Sequence, residues 1–305
     1  MKITAVKSKI SLVKSEFNYE LQRRKHENKL PAINSLDRSI VDAIKTEGVF
    51  VTSLDSLLIE STLKLISAAY SLFDKLATTV SDNLIDNEYI NCNAVEATPT
   101  QIITQYPDIF LWGVEERLLN LAENYIGLPV AYHGVNCRRD IINNKHMGTR
   151  LWHTDGDDIR MLKIIIYLND VTEDGGPFEY LPKSQAFWYA YLKLKYMRKG
   201  ASAFCDEEIK KILPKSAWKS CLGSKGTVIF LDPRSVFHHG KMPSLERSAL
   251  FFLYTTRQPS HPEISKHSFN FEQEHLLDLA RQVSYRQKEC ILYNQKSSSV
   301  ISTLP

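Results

Sequence analysis

The second half of the chain is a series of short apolar runs, each bounded by turn residues. Beyond Gly127-Leu128-Pro129, these runs occupy Val130–Cys137, Leu162–Leu168, Thr227–Leu231 and Ser248–Thr255. Short alternating or continuous apolar runs between turn signals are typical of the strands of β-sandwiches and barrels. The pattern therefore predicts a mainly β domain built as a sandwich or barrel.

Helices are predicted on both sides of this β region. Apolar residues recur at three- and four-residue intervals over Ser56–Leu76 and, more briefly, over Val114–Tyr125, and an amphipathic helix is predicted at Phe271–Leu292. The chain is thus expected to be α+β. The expected organisation is a basic arm over 1–35, a β domain over 36–258 with a helical insertion at 188–213, and a C-terminal helix and Ser-rich tail over 259–305 packed on the same domain.

Charge and hydropathy exclude several function classes. Lys and Arg number 38 against 35 Asp and Glu, a balance that does not indicate a dedicated nucleic-acid binder. The longest apolar stretches are far shorter than the ~20 residues of a membrane helix, and the N-terminus lacks a secretory signal. The five cysteines contain no CxxC pair, so neither a disulfide framework nor a zinc ribbon is indicated. We expect a cytoplasmic protein, and its oligomeric state stays open.

A histidine and an aspartate precede the second apolar run in the motif Trp152-His153-Thr154-Asp155. In extended backbone, residues two apart share a face, so His153 and Asp155 can reach one metal ion. The adjacent His238 and His239 follow the third run. Two histidines and a carboxylate form the facial triad of non-haem Fe(II) oxygenases. Spacing alone leaves either His238 or His239 as the third ligand, and the other as a structural residue.

Two cations are candidates for binding an acidic co-substrate. Arg247 begins the last apolar run, and its planar fork suits a carboxylate of 2-oxoglutarate; a surface ion pair with Glu246 or Asp232 is the alternative. Lys163 alternates onto the same strand face as Tyr167. Its side chain either enters the pocket and meets an anion, or extends from the strand edge into solvent.

Charged residues also flank the metal motif, and they mark a possible opening. Charges at an opening can select a polar or zwitterionic small molecule, but ordinary solvated loop residues fit the same pattern. We expect them to be solvated. They are Arg138, Arg139, Asp157, Asp158 and Arg160.

Several segments together resemble the phytanoyl-CoA dioxygenase-like family, over roughly residues 36–258. They are Trp152–Asp155, Lys163–Val171, Gly176–Pro182 and His238–Lys241 through Arg247. The resemblance implies a double-stranded β-helix, also called a jelly-roll or cupin-like barrel. It also implies an Fe(II)-dependent oxygenase that uses 2-oxoglutarate and O₂.

The resemblance also implies a ligand set and a reaction. Iron would be held by His153, Asp155 and His238. Many relatives have a sequence similar to His-Arg-Gly-Lys at this point, so His238 would match their histidine and His239 would occupy the Arg position. Arg247 would pair with the distal carboxylate of 2-oxoglutarate. The implied reaction oxidises an unactivated C–H bond of a small molecule, with hydroxylation the expected outcome, in amino-acid or natural-product metabolism. Succinate and CO₂ would be the co-products.

Asp155 indicates which type of reaction to expect, and the same barrel is compatible with two other functions. Halogenases resembling this family replace the carboxylate with a small residue, so Asp155 favours hydroxylation, desaturation or ring formation over halogenation. One alternative keeps the barrel as a cupin-type metal-dependent isomerase or hydrolase. Another is a non-catalytic binding protein on the same barrel.

Overall fold

The computed structural model describes residues 2–83, 93–183 and 203–293. The helices in these ranges are α1 (Lys2–His26), α2 (Ser35–Thr46), α3 (Leu54–Leu57), α4 (Thr62–Asn83), α5 (Pro99–Gln105), α6 (Pro107–Trp112), α7 (Glu116–Ile126), α8 (Asp206–Lys210), α9 (Pro262–Ser268), α10 (Gln273–Ala280) and α11 (Tyr285–Ile291). The strands are β1 (Val49–Ser53), β2 (Ala94–Glu96), β3 (Val130–Asp140), β4 (Leu162–Tyr167), β5 (Phe178–Tyr180), β6 (Lys219–Cys221), β7 (Thr227–Leu231), β8 (His238–Gly240) and β9 (Arg247–Thr256). Among the described helices, none has the length and apolar character needed to cross a bilayer.

The strands form two antiparallel sheets. The larger has the order β1-β7-β4-β9-β3-β2 and the smaller β6-β5-β8. Tyr167 of β4 joins them: its hydroxyl donates to the Cys221 carbonyl at 3.0 Å and accepts from the Phe178 amide at 3.1 Å. Two facing antiparallel sheets with flanking helices confirm the predicted α+β class and the double-stranded β-helix.

Alternation along the strands divides the apolar core into two layers. On β4, Ile165 and Tyr167 face the smaller sheet, where they join the cluster that contains Phe178. Ile164 and Ile166 face the other way, into the larger cluster that the helices cover. Because successive strand residues point to opposite faces, one face of β4 lines the barrel interior and the other anchors the helical layer.

The passage from α2 into β1 depends on Gly48. Its φ of +87° lies in the left-handed region, and its amide donates to the carbonyls of Ala43 and Ile44, closing the helix. A Cβ at this position would lie 2.2 Å from Val236 Cγ1. The turn from α2 into β1 at Gly48 therefore also packs against the segment that leads into β8.

The four predicted strands are all present. The helix predicted over Ser56–Leu76 is shifted to α4, and the single helix predicted over Phe271–Leu292 is two helices, α10 and α11. Ser284 starts α11 with a capping box shared with Gln287, which explains the break. Much of the predicted insertion at 188–213, and the Ser-rich tail, lie outside the described residues. The domain boundaries stay a prediction.

Candidate metal centre

Backbone pairing brings two distant segments of the chain together. The His153 amide donates to the His238 carbonyl at 2.9 Å, and the His238 amide donates back to the His153 carbonyl at 3.0 Å. The Asp155 amide donates to the Pro233 carbonyl at 3.0 Å. The metal motif is thus fixed beside β8 by main-chain hydrogen bonds, before any side chain is considered.

The side chains of His153, Asp155 and His238 converge. Nε2 of His153 lies 3.5 Å from Asp155 Oδ1, and Nε2 of His238 lies 3.7 Å from the same oxygen. The ligand atoms of all three residues lie within 4.8 Å of one another. Because ligand atoms sit about 2.1 Å from a transition-metal ion, two donors of one ion are at most about 4.2 Å apart. Both separations to Asp155 meet this limit.

Backbone carbonyls fix both imidazoles. His153 Nδ1 lies 2.7 Å from the Leu151 carbonyl oxygen, and His238 Nδ1 lies 3.2 Å from that of Val236. Since a carbonyl only accepts, each Nδ1 carries the proton and each Nε2 offers a lone pair. Burial lowers the pKa of His153 and lowers that of His238 to about 3, so both rings are neutral near pH 7. Two neutral imidazoles and a carboxylate fit Fe(II).

Lys163 places a positive charge at the same site. Its Nζ donates to Asp155 Oδ2, and its side chain is 21% exposed. Burial raises the pKa of Asp155, but the ammonium of Lys163, which also donates a hydrogen bond to it, and the neighbouring His238 and His153 outweigh that effect and hold the pKa well below its usual range. The carboxylate is therefore ionised. The lysine lies against a member of the triad rather than reaching into solvent.

His239 points away from the triad. Its Nε2 lies 3.0 Å from Glu179 Oε2, its Nδ1 lies 3.1 Å from the Arg150 carbonyl oxygen, and its ring stacks on Trp152 with centroids 4.0 Å apart. With His146 and Asp206 it forms a second group of metal-capable side chains in the described residues. Both His239 nitrogens already have protein partners, however, so it is His238 that meets His153 and Asp155.

Arg247 lies on the inner face of β9, buried. Its Nε donates to Asp140 Oδ2 at 2.8 Å, and its Nη1 donates to the Gly176 carbonyl at 2.5 Å. The surface ion pairs considered for it are not formed. Glu246 pairs with Arg139, and Asp232 accepts from the Tyr125 hydroxyl at 2.5 Å. The structure therefore places Arg247 in the interior, on a different strand from the triad.

Three of the flanking charges, Arg138, Asp157 and Asp158, are buried and contradict the expectation of solvated loop residues. Asp157 and Asp158 are buried, and both accept hydrogen bonds from donors at the end of β9 or beyond it. Asp157 Oδ1 accepts from the Ser265 hydroxyl at 2.7 Å, and Asp158 Oδ2 accepts from the Thr256 amide at 3.0 Å. They anchor the metal motif to the C-terminal segment instead of lining an opening.

Sequence reasoning missed Asp140 as a functional candidate and misread Arg138. Both side chains are buried and in contact, with Arg138 Nε 2.7 Å from Asp140 Oδ1. The available signal was their spacing of two just after the predicted strand Val130–Cys137, which puts them on one face if the strand continues, as β3 does. Two charges that both face a core are informative, because burial of a charge requires a partner.

A family comparison decides what the site belongs to. The sequence model of the phytanoyl-CoA dioxygenase (PhyH) family matches residues 84–242, more than half of the chain and all three members of the triad. The chain belongs to this family. It is an Fe(II)- and 2-oxoglutarate-dependent oxygenase, with O₂ as co-substrate. Membership favours this class over the cupin-type isomerase or hydrolase and over a non-catalytic binding protein.

Several solved structures are similar to this chain at low sequence identity. EctD from S. alaskensis in its apoform is 19% identical, with 74% of this chain and 78% of that chain covered and a TM-score of 0.48. HygX from Streptomyces hygroscopicus with nickel and 2-oxoglutarate bound is 14% identical, with 74% and 88% covered and a TM-score of 0.49. AviO1 from Streptomyces viridochromogenes Tue57 is 16% identical, with 76% and 99% covered and a TM-score of 0.49. A search of curated proteins found no match.

Proposed function

We propose that this oxygenase hydroxylates an unactivated C–H bond of a small molecule of amino-acid or natural-product metabolism, in the cytoplasm. His153, Asp155 and His238 would hold Fe(II), and Arg247 and Lys163 would bind the carboxylates of 2-oxoglutarate. The observation that carries the proposal is the convergence of three donor atoms: Nε2 of His153 and Nε2 of His238 lie 3.5 and 3.7 Å from Asp155 Oδ1.

The residues of the chain each have a task in this proposal. Leu151 and Val236 hold the imidazoles through their carbonyls, so that both rings present Nε2 without reorganisation. Phe178 stacks on the His238 ring with centroids 5.3 Å apart and contributes an apolar wall. When bound, iron with 2-oxoglutarate and O₂ supplies the oxidising power for C–H hydroxylation, with succinate and CO₂ as co-products.

Asp155 supports oxygenation over halogenation. Its Oδ1 faces both imidazoles, which supports the carboxylate as the third protein ligand of the proposed triad. Three protein ligands leave the other positions for 2-oxoglutarate and O₂. Proton placement in this site is fixed by the chain: each Nδ1 holds its proton against a carbonyl, and neither imidazole serves as an acid.

A substrate panel tests the proposal. Fe(II)-loaded protein is incubated with 2-oxoglutarate and O₂ against free amino acids, carrier-bound acyl groups and small natural-product scaffolds. We expect succinate formation coupled to a product that has gained one oxygen atom, with His238→Ala as the inactive control. Succinate coupled to loss of two hydrogen atoms would replace hydroxylation with desaturation or ring formation. Absence of succinate with every substrate and without substrate would contradict the proposal.

A further inference from the structure

A chain of buried charges crosses the inner face of the larger sheet. Arg138 and Asp140 lie two residues apart on β3 and therefore share a face. Asp140 is the register partner of Arg247 on β9. Arg247 Nε and Nη2 lie 2.8 and 2.7 Å from Asp140 Oδ2, and Arg138 Nε and Nη2 both lie 2.7 Å from Asp140 Oδ1. Each guanidinium therefore takes one oxygen of the same carboxylate.

This chain of charges has an excess of one positive charge. Two guanidinium groups share one carboxylate, and their side chains are at most 10% exposed. Burial raises the pKa of Asp140, but Arg247 and Arg138 outweigh it and lower that pKa below its usual value, so the carboxylate is ionised. At the outer end of this chain of charges, Glu96 Oε1 lies 4.0 Å from Arg138 Nη1. The Glu96 side chain is 36% exposed, so water screens its charge.

The Arg247 guanidinium is turned toward the face of β8 that carries His238. A Cβ built on Gly240 would lie 3.3 Å from Arg247 Nη2. Because residues two apart on a strand share a face, the side of β8 that Arg247 approaches is also the side from which His238 reaches the triad. The missing side chain at Gly240 makes room for the guanidinium one strand step from that histidine.

We propose that Asp140 and Arg138 are positioning residues for Arg247 in the binding of 2-oxoglutarate. Asp140 fixes the guanidinium by its Nε and Nη2 edge. Arg138 offsets the charge of Asp140, so that the three side chains together keep a net positive charge. This charge attracts the carboxylate of 2-oxoglutarate that is distant from the 2-oxo group. Without Arg138, the Asp140–Arg247 pair is neutral and attracts that carboxylate less. This inference rests on the proposed function of the site.

Two co-substrates that differ only at the distal end separate this charge effect from a general loss of structure. 2-Oxoglutarate and 2-oxopentanoate are titrated into anaerobic Fe(II)-loaded protein by calorimetry. Arg138→Met is expected to raise the Kd for 2-oxoglutarate about tenfold, since one charge at short range in a buried site has roughly that effect. The Kd for 2-oxopentanoate and the Kd for iron are expected to stay unchanged.

Conservative and neighbouring variants complete the test. Arg138→Lys keeps the charge and is expected to restore most of the 2-oxoglutarate affinity. Arg138→Gln keeps a donor to Asp140 without the charge and replaces the methionine variant if that protein does not fold. Arg139→Met is the matched control, because Arg139 lies on the other face of β3 and pairs with Glu246.

The outcomes distinguish this inference from the proposed function. Wild-type protein that binds no 2-oxoglutarate contradicts the proposed function. Wild-type protein that prefers 2-oxoglutarate over 2-oxopentanoate, with the preference unchanged in both Arg138→Met and Arg138→Gln, overturns the role of Arg138. A tenfold loss in Arg138→Lys that matches the methionine variant also overturns it, because the charge would then not be what matters.

Discussion

The Asp155 carboxylate has a different set of partners at each oxygen. Oδ1 faces Nε2 of both His153 and His238, and Oδ2 accepts from Lys163. One side chain therefore provides the negative charge of the donor set and holds the nearest cation. Its removal affects both functions at once, whereas removal of Lys163 leaves the three donors in place.

Asp155→Ala is expected to abolish turnover and to weaken iron binding at least tenfold, because two neutral imidazoles remain without a negatively charged ligand. Succinate formation and iron affinity are measured in parallel. Asp278→Ala is the control, since Asp278 is exposed and pairs with Arg281 on the protein surface. Hydroxylase activity retained in Asp155→Ala would refute the role of Asp155 as a ligand.

Lys163→Met is expected to raise the KM for 2-oxoglutarate several-fold with normal iron content. A dication held by the triad would repel the ammonium from Asp155, so Lys163 would need another anion, which a 2-oxoglutarate carboxylate would supply. Steady-state kinetics and bound iron per chain are the measurements, with the exposed Lys225→Met as control. Unchanged kinetics would remove Lys163 from the co-substrate site.

The turn that follows β7 connects secondary structure to the metal site. Asp232 Oδ1 accepts from the Arg234 amide at 3.0 Å, and Oδ2 accepts from the Tyr125 hydroxyl of α7. Between them, the Pro233 carbonyl accepts from the Asp155 amide. A helix in the outer layer thus holds the turn on which the backbone of a triad residue rests.

Asp232 is expected to make stability depend on pH. Burial raises its pKa to about 6, despite the hydrogen bonds from Tyr125 and Arg234. Its pKa in an unfolded chain is about 3.9, so the native state binds more protons between these values. The free energy of unfolding should therefore fall as pH rises from about 4 to about 6, by on the order of 3 kcal/mol relative to Asp232→Asn.

Chemical denaturation at several pH values measures this difference. The wild type and Asp232→Asn share every other titrating group, so subtracting their curves isolates the contribution of Asp232. Parallel curves across the whole range would mean that the pKa of Asp232 is not raised in the native state. Tyr125→Phe removes the hydroxyl donor without adding charge and should raise the native pKa further.

Local patterns predicted the elements better than the contacts between them. Short apolar runs bounded by turn residues located the strands, and the spacing of His153 and Asp155 put both on one face. Neither pattern indicates which way the β8 histidines point, and backbone pairing with His153 decides that in the fold. The sequence predicted Asp157 to be a solvated loop residue, because its buried hydrogen-bond partner, Ser265, lies 108 positions further along the chain.

At the scale of the whole molecule, Asp158 joins the loop that carries the metal motif to residues 256–260, about a hundred positions further along the chain. Its Oδ2 accepts from the amide and hydroxyl of Thr256 at 3.0 and 2.7 Å, and its Oδ1 accepts from the amides of Ile159 and Ser260 at 2.8 and 3.2 Å. The loop that carries the metal motif is thereby joined to the end of β9 and to the chain beyond it. Folding of the barrel and ordering of the C-terminal segment are consequently coupled.

Asp158→Ala is expected to destabilise the protein by about 3 kcal/mol or more, because it leaves several buried donors without an acceptor. Coupling also predicts that iron affinity falls, although Asp158 is not among the converging donors, since the loop that carries Asp155 loses its anchor. Thermal unfolding and iron affinity are measured together, with exposed Asp174→Ala as the control. A variant with a lower Tm and wild-type iron affinity would show that the C-terminal anchor stabilises the barrel without positioning the metal motif.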